Sequence, residues 1–220
     1  NQTKPETVEA VEEEPLFPSI SVEPLSFQLD GLCGSADQAV TLANEGEAPL
    51  TVGSIELSAT GWTASGYSTP LLLQPGESQE LTLTASPGMG VLTISSDDPD
   101  DPQVLVELAA EADQPPEAAI TSPYNGSILS LGGSLVEGLA TDPEDAPEAL
   151  SVSWHSSVDG DLGSSVPDAG GYVGLDWPGG SPGDHVLTLE VGDSCGNVAS
   201  AQLDLCQQQG YDVESLDISA

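Results

Sequence analysis

Few residues in this sequence could perform covalent chemistry. The 220 residues include two histidines, one lysine, three cysteines and no arginine. No nucleophile elbow, phosphate-binding glycine loop or His-Glu-X-X-His helix is present. His155 and His185 both fall within runs typical of strands, so we expect structural roles for them. We therefore predict no catalytic residues and no enzymatic activity.

Carboxylates are the abundant reactive groups: 37 Asp and Glu face a single basic residue, Lys4, giving a formal net charge of −36. At this density a pair of carboxylates does not indicate glycoside hydrolysis, which needs two particular groups across a cleft. The charge excludes nucleic acid and anionic membranes as partners, since both are bound through Lys and Arg. Cations are the natural counterions. Calcium sites and a merely solvated acidic surface both remain open.

Short alternating strands must position these carboxylates. Apolar residues recur at Ile20 to Phe27, around Val40, at Leu50 to Leu57, at Leu81 and Leu83, and in two later runs, Val91 to Ile94 and Val104 to Leu108. Turn residues separate these runs, for example Asn44 to Glu47 and the acidic Asp97 to Pro102. Such spacing predicts an all-β immunoglobulin-like sandwich.

The first half resembles a known family. Four phrases occur in order: Ser-Val-Glu-Pro-Leu-Ser-Phe, Val-Thr-Leu-Ala-Asn-Glu-Gly-Glu-Ala-Pro-Leu-Thr-Val, Leu-Gln-Pro-Gly-Glu-Ser and Leu-Thr-Ile-Ser-Ser-Asp-Asp-Pro-Asp-Asp-Pro. Over residues 18–111 they resemble the Hydin-type (ASH-like, choice-of-anchor) immunoglobulin-like domain of bacterial surface proteins. The resemblance implies a binding or spacer fold without catalytic residues.

A second sandwich is predicted after the stiff segment Asp113-Gln114-Pro115-Pro116. Its phrases Ile-Thr-Ser-Pro, Ala-Thr-Asp-Pro-Glu-Asp and Asp-Ser-Cys-Gly-Asn resemble bacterial polycystic-kidney-disease (PKD) and cadherin-like repeats over residues 115–206. The predicted organisation is an acidic flexible tether (residues 1–16), two tandem sandwiches (17–114 and 115–207) and a tail or further element (208–220).

This fold predicts where a cation would bind. In an immunoglobulin-like sandwich, the loops after the second and sixth strands share one end with the entry to the first strand. Four carboxylates of the second domain and one of the linker would then converge at the domain junction: Asp142, Glu144, Asp145 and Asp193, with Asp113. We expect a weak calcium site there, although Asp-Pro and Gly-Asp are also ordinary turn sequences.

The tryptophans are assigned to packing. Trp154, in the third strand of the second domain, is expected in the core. Trp62 lies in a turn-rich stretch, where a core position is favoured over an exposed adhesive one.

The cysteines indicate an oxidising compartment. Cys195 precedes the last strand and Cys206 ends it. They should not bond, because eleven extended residues span roughly 35 Å, whereas bridged Cα atoms lie within about 7 Å. We predict a Cys33–Cys195 disulfide, with Cys206 free or paired with another chain. A buried, reduced Cys33 is the alternative.

These features predict a noncatalytic structural or adhesive module of a bacterial surface or secreted protein, located outside the cell. Any lipid anchor would be on a residue outside this sequence. No apolar run approaches the roughly 20 residues that span a bilayer, so membrane insertion is not expected. Partners would be other proteins or further domains of the same polypeptide. Two alternatives remain: a homo-oligomeric filament or particle subunit that donates a strand through Val213, Leu216 and Ile218, and a carbohydrate-binding domain with an exposed aromatic platform.

Overall fold

The computed structural model describes residues 15–129 and 133–208. The chain divides between Ala112 and Asp113 into two compact units, here called the first and second domains. Each consists of strands in two sheets, which confirms the predicted immunoglobulin-like sandwich class. The tether and the tail beyond Gln208 lie largely outside the described residues.

The described part of the first domain has nine strands. They are β1 (Ile20–Glu23), β2 (Ser26–Leu32), β3 (Ala36–Asn44), β4 (Leu50–Ala59), β5 (Trp62–Ser65), β6 (Leu71–Leu73), β7 (Ser78–Ala85), β8 (Gly88–Ser96) and β9 (Gln103–Ala112). One sheet has the order β1-β3-β7-β5 and the other β2-β9-β8-β4-β6. Alternate side chains such as Val40, Leu42, Leu81 and Leu83 are fully buried between the sheets.

The single first strand expected from Ile20 to Phe27 is wrong, because two strands occupy this segment. β1 pairs antiparallel with β3, whereas β2 pairs parallel with β9 in the other sheet. Pro24 lies between them and has no N–H to continue a ladder. Strands β5 and β6 were also not predicted, because turn residues surround both.

The second domain has eight strands among its described residues. They are β10 (Glu117–Ser122), β11 (Ser127–Leu129), β12 (Ser134–Thr141), β13 (Ser151–Ser156), β14 (Gly160–Ser165), β15 (Tyr172–Trp177), β16 (Gly183–Gly192) and β17 (Val198–Gln207). The sheet orders are β10-β12-β15 and β11-β17-β16-β13-β14. A 3-10 turn, Pro147–Ala149, precedes β13. Strand β14 was not predicted, because its sequence, Gly-Asp-Leu-Gly-Ser-Ser, is typical of a loop.

A buried asparagine fixes the turn between β3 and β4. Asn44 is fully buried, and its Nδ2 donates to the carbonyls of Ala48 (2.8 Å) and Leu73 (3.0 Å). Its Oδ1 accepts the N–H groups of Gly46 (3.0 Å) and Ser19 (3.3 Å). A Cβ at Gly46 would collide with the backbone of the segment that enters β1. The Asn-Glu-Gly-Glu motif therefore holds the β3–β4 turn against the segment that enters β1.

A buried carboxylate joins the β8–β9 turn to β1. Asp98 is only 3% exposed; its Oδ2 accepts the Ile20 N–H (2.7 Å) and its Oδ1 accepts those of Asp100 (2.8 Å) and Asp101 (3.2 Å). Burial alone would raise the pKa of Asp98, but these three donors stabilise the charged form and lower the pKa below 3.8. In this Asp-Pro turn, backbone N–H groups therefore stabilise the buried negative charge without a cation.

The lowered pKa of Asp98 predicts a pH-dependent contribution to stability. A depressed carboxyl pKa stabilises the fold above the unfolded-state pKa, about 3.8, and the contribution is lost as pH falls through the lower folded-state value. The difference in melting temperature between the native chain and Asp98→Asn should therefore be largest near neutral pH and shrink below pH 3.8. Thermal melts at a series of pH values measure it.

The matched control is Asp100→Asn, which changes an exposed carboxylate in the same turn. Its melting temperature should follow that of the native chain at every pH. A constant difference between the native chain and Asp98→Asn across the pH range would contradict the role assigned to Asp98.

Candidate functional site

Three segments of the second domain carry the five carboxylates expected to bind calcium. Asp142, Glu144 and Asp145 follow β12, Asp193 follows β16, and Asp113 precedes β10. The hydrogen bonds below join the three segments, so they meet at one end of the sandwich. None of the five lies within a strand.

The loop after β12 is held by two aspartates. Asp142 Oδ1 accepts the N–H groups of Glu144 (2.8 Å) and Asp145 (2.7 Å), which closes a tight turn. Asp145 reaches the loop after β16, where its Oδ2 accepts the Ser194 N–H (2.7 Å) and its Oδ1 the Ser194 hydroxyl (3.1 Å). Asp145 therefore ties the two loops together.

The entry segment is attached to both loops. Asp113 Oδ2 accepts a hydrogen bond from Asn197 Nδ2 (2.7 Å), and Asn197 N–H donates to Asp193 Oδ1 (2.8 Å). Gln114 Nε2 donates to Glu144 Oε1 (3.1 Å). Asn197 and Gln114 were not singled out from the sequence, since neutral amides in loops carry no distinctive pattern.

The carboxylates perturb one another. Burial raises the pKa of Asp113, and the facing carboxylates of Asp193, Asp142 and Glu144 raise it further. Burial would also raise the pKa of Asp193, but hydrogen bonds from Asn197, Gly196 and Cys195 lower it overall. The pKa is thus lowered at Asp193 and raised at the neighbouring Asp113.

Two oxygens of this cluster have no hydrogen-bonding partner. The Oδ2 atoms of Asp142 and Asp193 are buried, and no donor bonds to either. Unpaired buried carboxylate oxygens are costly, and a hydrogen bond between the Asp113 and Asp193 carboxyl groups also raises the pKa of Asp113. Among residues 15–129 and 133–208, however, no three His, Cys, Asp or Glu side chains already converge as a metal site. The cluster is a group of neighbouring acidic side chains rather than a preformed coordination shell.

A second constellation contains serine, histidine and aspartate. His185 is 1% exposed, its Nδ1 lies 2.8 Å from Ser156 Oγ, and its Nε2 lies 2.6 Å from the Ser181 carbonyl. Asp159 Oδ2 is 3.7 Å from Nδ1. The aspartate is therefore on the same ring nitrogen as the serine, unlike a hydrolase triad, in which the two groups bond opposite nitrogens.

The hydrogen bonds at Ser156 show that it is structural. Its Oγ accepts the N–H groups of Val158 (3.2 Å) and Asp159 (3.2 Å), so its own proton goes to His185 Nδ1. His185 Nε2–H then donates to the Ser181 carbonyl, and the ring packs edge-on to Trp177 at 5.2 Å. The buried hydroxyl is committed to the β13–β14 turn, in agreement with the structural role expected for His185.

All three tryptophans are in the cores. Trp62, Trp154 and Trp177 are 5%, 1% and 3% exposed. This confirms the packing roles expected for Trp154 and Trp62. The large exposed aromatics of the described chain are Phe17, Tyr124 and Tyr172, and none of the three tryptophans is available for a carbohydrate platform.

The cysteines are in two states. Cys33, between β2 and β3, and Cys195, between β16 and β17, are disulfide-bonded. Cys206 is the free cysteine among the described residues. Asp184 contacts its thiol. The hydrogen bond to that carboxylate is the main cause of a raised pKa at Cys206, and burial is the second cause. Cys195 does not bond to Cys206, as expected.

Comparison with known proteins gives only distant similarities. No family model and no curated protein matches the sequence. A solved Porphyromonas gingivalis protein of unknown function is 20% identical, with a TM-score of 0.39 over 43% of this chain and 46% of that one. The ASH/PapD-like domain 7 of human CEP192 is 11% identical (TM-score 0.36; 51% and 97% covered).

The titin I-band fragment I67–I69 is 15% identical, with a TM-score of 0.45 over 89% of this chain and 66% of that one. The chain spans less than half of the matched Porphyromonas protein and just under two thirds of the titin fragment. At these TM-scores the likeness does not extend to function.

Ser156 provides a test of the structural assignment. Ser156→Ala leaves two backbone N–H groups and His185 Nδ1 without their partner, so we expect a loss of about 1–3 kcal/mol in the free energy of unfolding. Ser153→Ala changes an exposed serine of the same strand and should cost no more than about 0.5 kcal/mol. Urea unfolding of both variants measures the difference. Equal stabilities, or covalent labelling of Ser156 by a serine-hydrolase probe, would contradict the assignment.

Proposed function

We propose that this chain is a noncatalytic extracellular module, structural or adhesive, of a bacterial surface or secreted protein. The observation that supports this most strongly is the disulfide-bonded state of Cys33 and Cys195. Disulfides persist outside the cytosol, where thiols are not continuously reduced. Within the described residues, no helix is both long and apolar enough to cross a bilayer.

The use of buried polar groups also favours a structural role. Asn44, Asp98, Ser156 and His185 are buried, and each is engaged in hydrogen bonds that fix turns or join strands. A catalytic site would instead leave a reactive group accessible to substrate.

We assign the first domain to the Hydin-type and the second to the PKD or cadherin-like class, on the sequence phrases that resemble them. The partners would be other proteins or further domains of the same polypeptide. In the filament alternative, Val213, Leu216 and Ile218 would supply a donated strand, but these residues lie outside the described part of the chain.

We further propose that Cys33 pairs with Cys195, which would link the two domains covalently. The chain is exported and digested without reduction after alkylation of free thiols. Mass spectrometry should recover the Cys33 and Cys195 peptides as one linked species and Cys206 as an alkylated thiol. A reductant should lower the melting temperature of the native chain and of the Cys206→Ser control, but not that of a Cys33→Ser/Cys195→Ser variant.

Three results would overturn this proposal. Alkylated Cys33 and Cys195 in the exported protein would remove the support for an oxidising compartment. A Cys195–Cys206 link would contradict the pairing. A disulfide between Cys33 residues of two chains would replace the internal link with an oligomer, as the filament alternative expects.

A further inference from the structure

The outer face of the first domain's five-stranded sheet carries apolar side chains on its central strands. Along β9, alternation turns Val106 and Leu108 into the core and leaves Leu105, Glu107 and Ala109 on the outer face. Leu105 is 52% exposed. Single exposed apolar residues are ordinary, so the neighbouring strand decides whether Leu105 belongs to a larger surface.

Strand β8 extends this surface. Its outward residues include Met89, which is 73% exposed, and the half-buried Val91. Strand pairing places Met89 opposite Ala109 and Val91 opposite Glu107. Leu105 is two residues from Glu107 on β9 and diagonal to Val91. Three apolar side chains are therefore neighbours of one carboxylate.

A groove of about 550 Å³ lies on this face, between β2, β9 and β8. Its lining includes Ser26, Gln28, Met89, Val91, Glu107 and Ala109. Volumes of about 300–1,000 Å³ are usual for ligand sites. We call this surface, with Leu105 at its end, the Met89 groove.

Charge decides what can occupy the Met89 groove. Glu107 forms no ion pair within the described residues, and the only Lys or Arg of the sequence, Lys4, lies outside them. A second copy of the chain on this face would bring Glu107 and the exposed Glu56 and Glu111 against the same carboxylates. Like charges that face each other oppose association. The groove therefore fits a positively charged partner.

We propose that the Met89 groove binds an extended segment of another protein that presents aliphatic, basic and aliphatic side chains at positions i, i+2 and i+4. From Leu105 to Ala109 the strand rises about 13 Å, which matches these three positions of an extended partner. The basic side chain pairs with Glu107. The aliphatic ones pack on Leu105 and on Met89, whose flexible thioether adapts to varied partners.

This inference names a partner class for the module proposed above and so rests on that function. Its test is separate from the disulfide mapping that tests the extracellular location. A failed peptide titration and a failed location are therefore distinguishable.

The probe is a synthetic peptide with the repeat Leu-Thr-Lys-Thr, which places Leu and Lys in turn on one side of an extended chain. Met89 is the only methionine of the sequence, so an isotope-labelled methionine methyl group gives one NMR signal located in the groove. We expect this signal to shift saturably as the peptide is added. Two control peptides, one with Ser for every Leu and one with Glu for every Lys, should bind more weakly by about tenfold or more.

Variants of the chain separate the two kinds of contact. Leu105→Ser should weaken binding of the Leu-Lys peptide by about tenfold, because it removes an apolar anchor. Glu107→Gln should weaken it by about two- to fivefold, the range of an exposed ion pair. The matched controls are Leu72→Ser, an exposed leucine at the far edge of the same sheet, and Glu80→Gln, an exposed carboxylate of the other sheet. Both should bind like the native chain.

A Met89 signal that does not move, or equal binding of the Leu-Lys peptide and either control peptide, would overturn the proposal. So would a signal that shifts with protein concentration when no peptide is present, because the groove would then be an interface between copies of the chain. The native chain alone decides these outcomes, so the test does not depend on whether a variant folds.

Discussion

The lack of positive charge is the constraint on which the rest of this structure depends. With a single basic residue in the sequence, a carboxylate that enters the folded interior must be stabilised by neutral donors. Backbone N–H groups supply them. The buried Asp98 accepts those of Ile20, Asp100 and Asp101. The more exposed aspartates do the same: Asp97 accepts the Thr51 N–H, Asp145 that of Ser194, and Asp168 those of Gly170 and Tyr172. Among the described residues the one contact with ion-pair geometry, His185 with Asp159, exists as an ion pair only when the histidine is protonated.

This constraint explains where the acidic residues are used. Aspartates at strand ends accept hydrogen bonds from N–H groups that a turn would otherwise leave unpaired. The same residue type therefore fixes the turns and keeps the surface soluble. Asp98 has the additional role of joining its turn to β1, which lies 78 positions away in the sequence. In the loops around Asp113, Asp142 and Asp193, two buried carboxylate oxygens, Oδ2 of Asp142 and Oδ2 of Asp193, have no such donor.

Much of the fold follows from alternation and turn residues. Strands β3, β4, β7, β12, β15, β16 and β17 contain the predicted apolar alternation, and Trp154 packs as expected. The division of the first segment into β1 and β2 could not be inferred from hydrophobicity, because Leu25, in the bend between the strands, and Phe27, in β2, continue the apolar run. Strands β5, β6 and β14 lie in turn-rich sequence, where tertiary pairing overrides the local preference.

The candidate site was predictable in location but not in detail. Loop clustering in a sandwich brings the entry segment and the loops after β12 and β16 together, which the hydrogen bonds from Asn197 and Ser194 show. Both turns have the sequence Asp-Pro-acidic-Asp. The sequence therefore could not show that both carboxylate oxygens of Asp98 accept N–H groups, whereas only Oδ1 of Asp142 does. The distinction depends on one distant donor, the Ile20 N–H.

Residues 15–129 and 133–208 fold without an ion pair between permanently charged side chains and against the negative charge of the chain. The melting temperature as a function of sodium chloride, with a chelator present, tests this claim most directly. Screening shortens from about 10 Å at 0.1 M to about 3 Å at 1 M salt. If repulsion dominates, the melting temperature rises steeply at low salt and then more slowly. A melting temperature that falls as salt is added would show that attractive ion pairs stabilise the fold and would contradict the account.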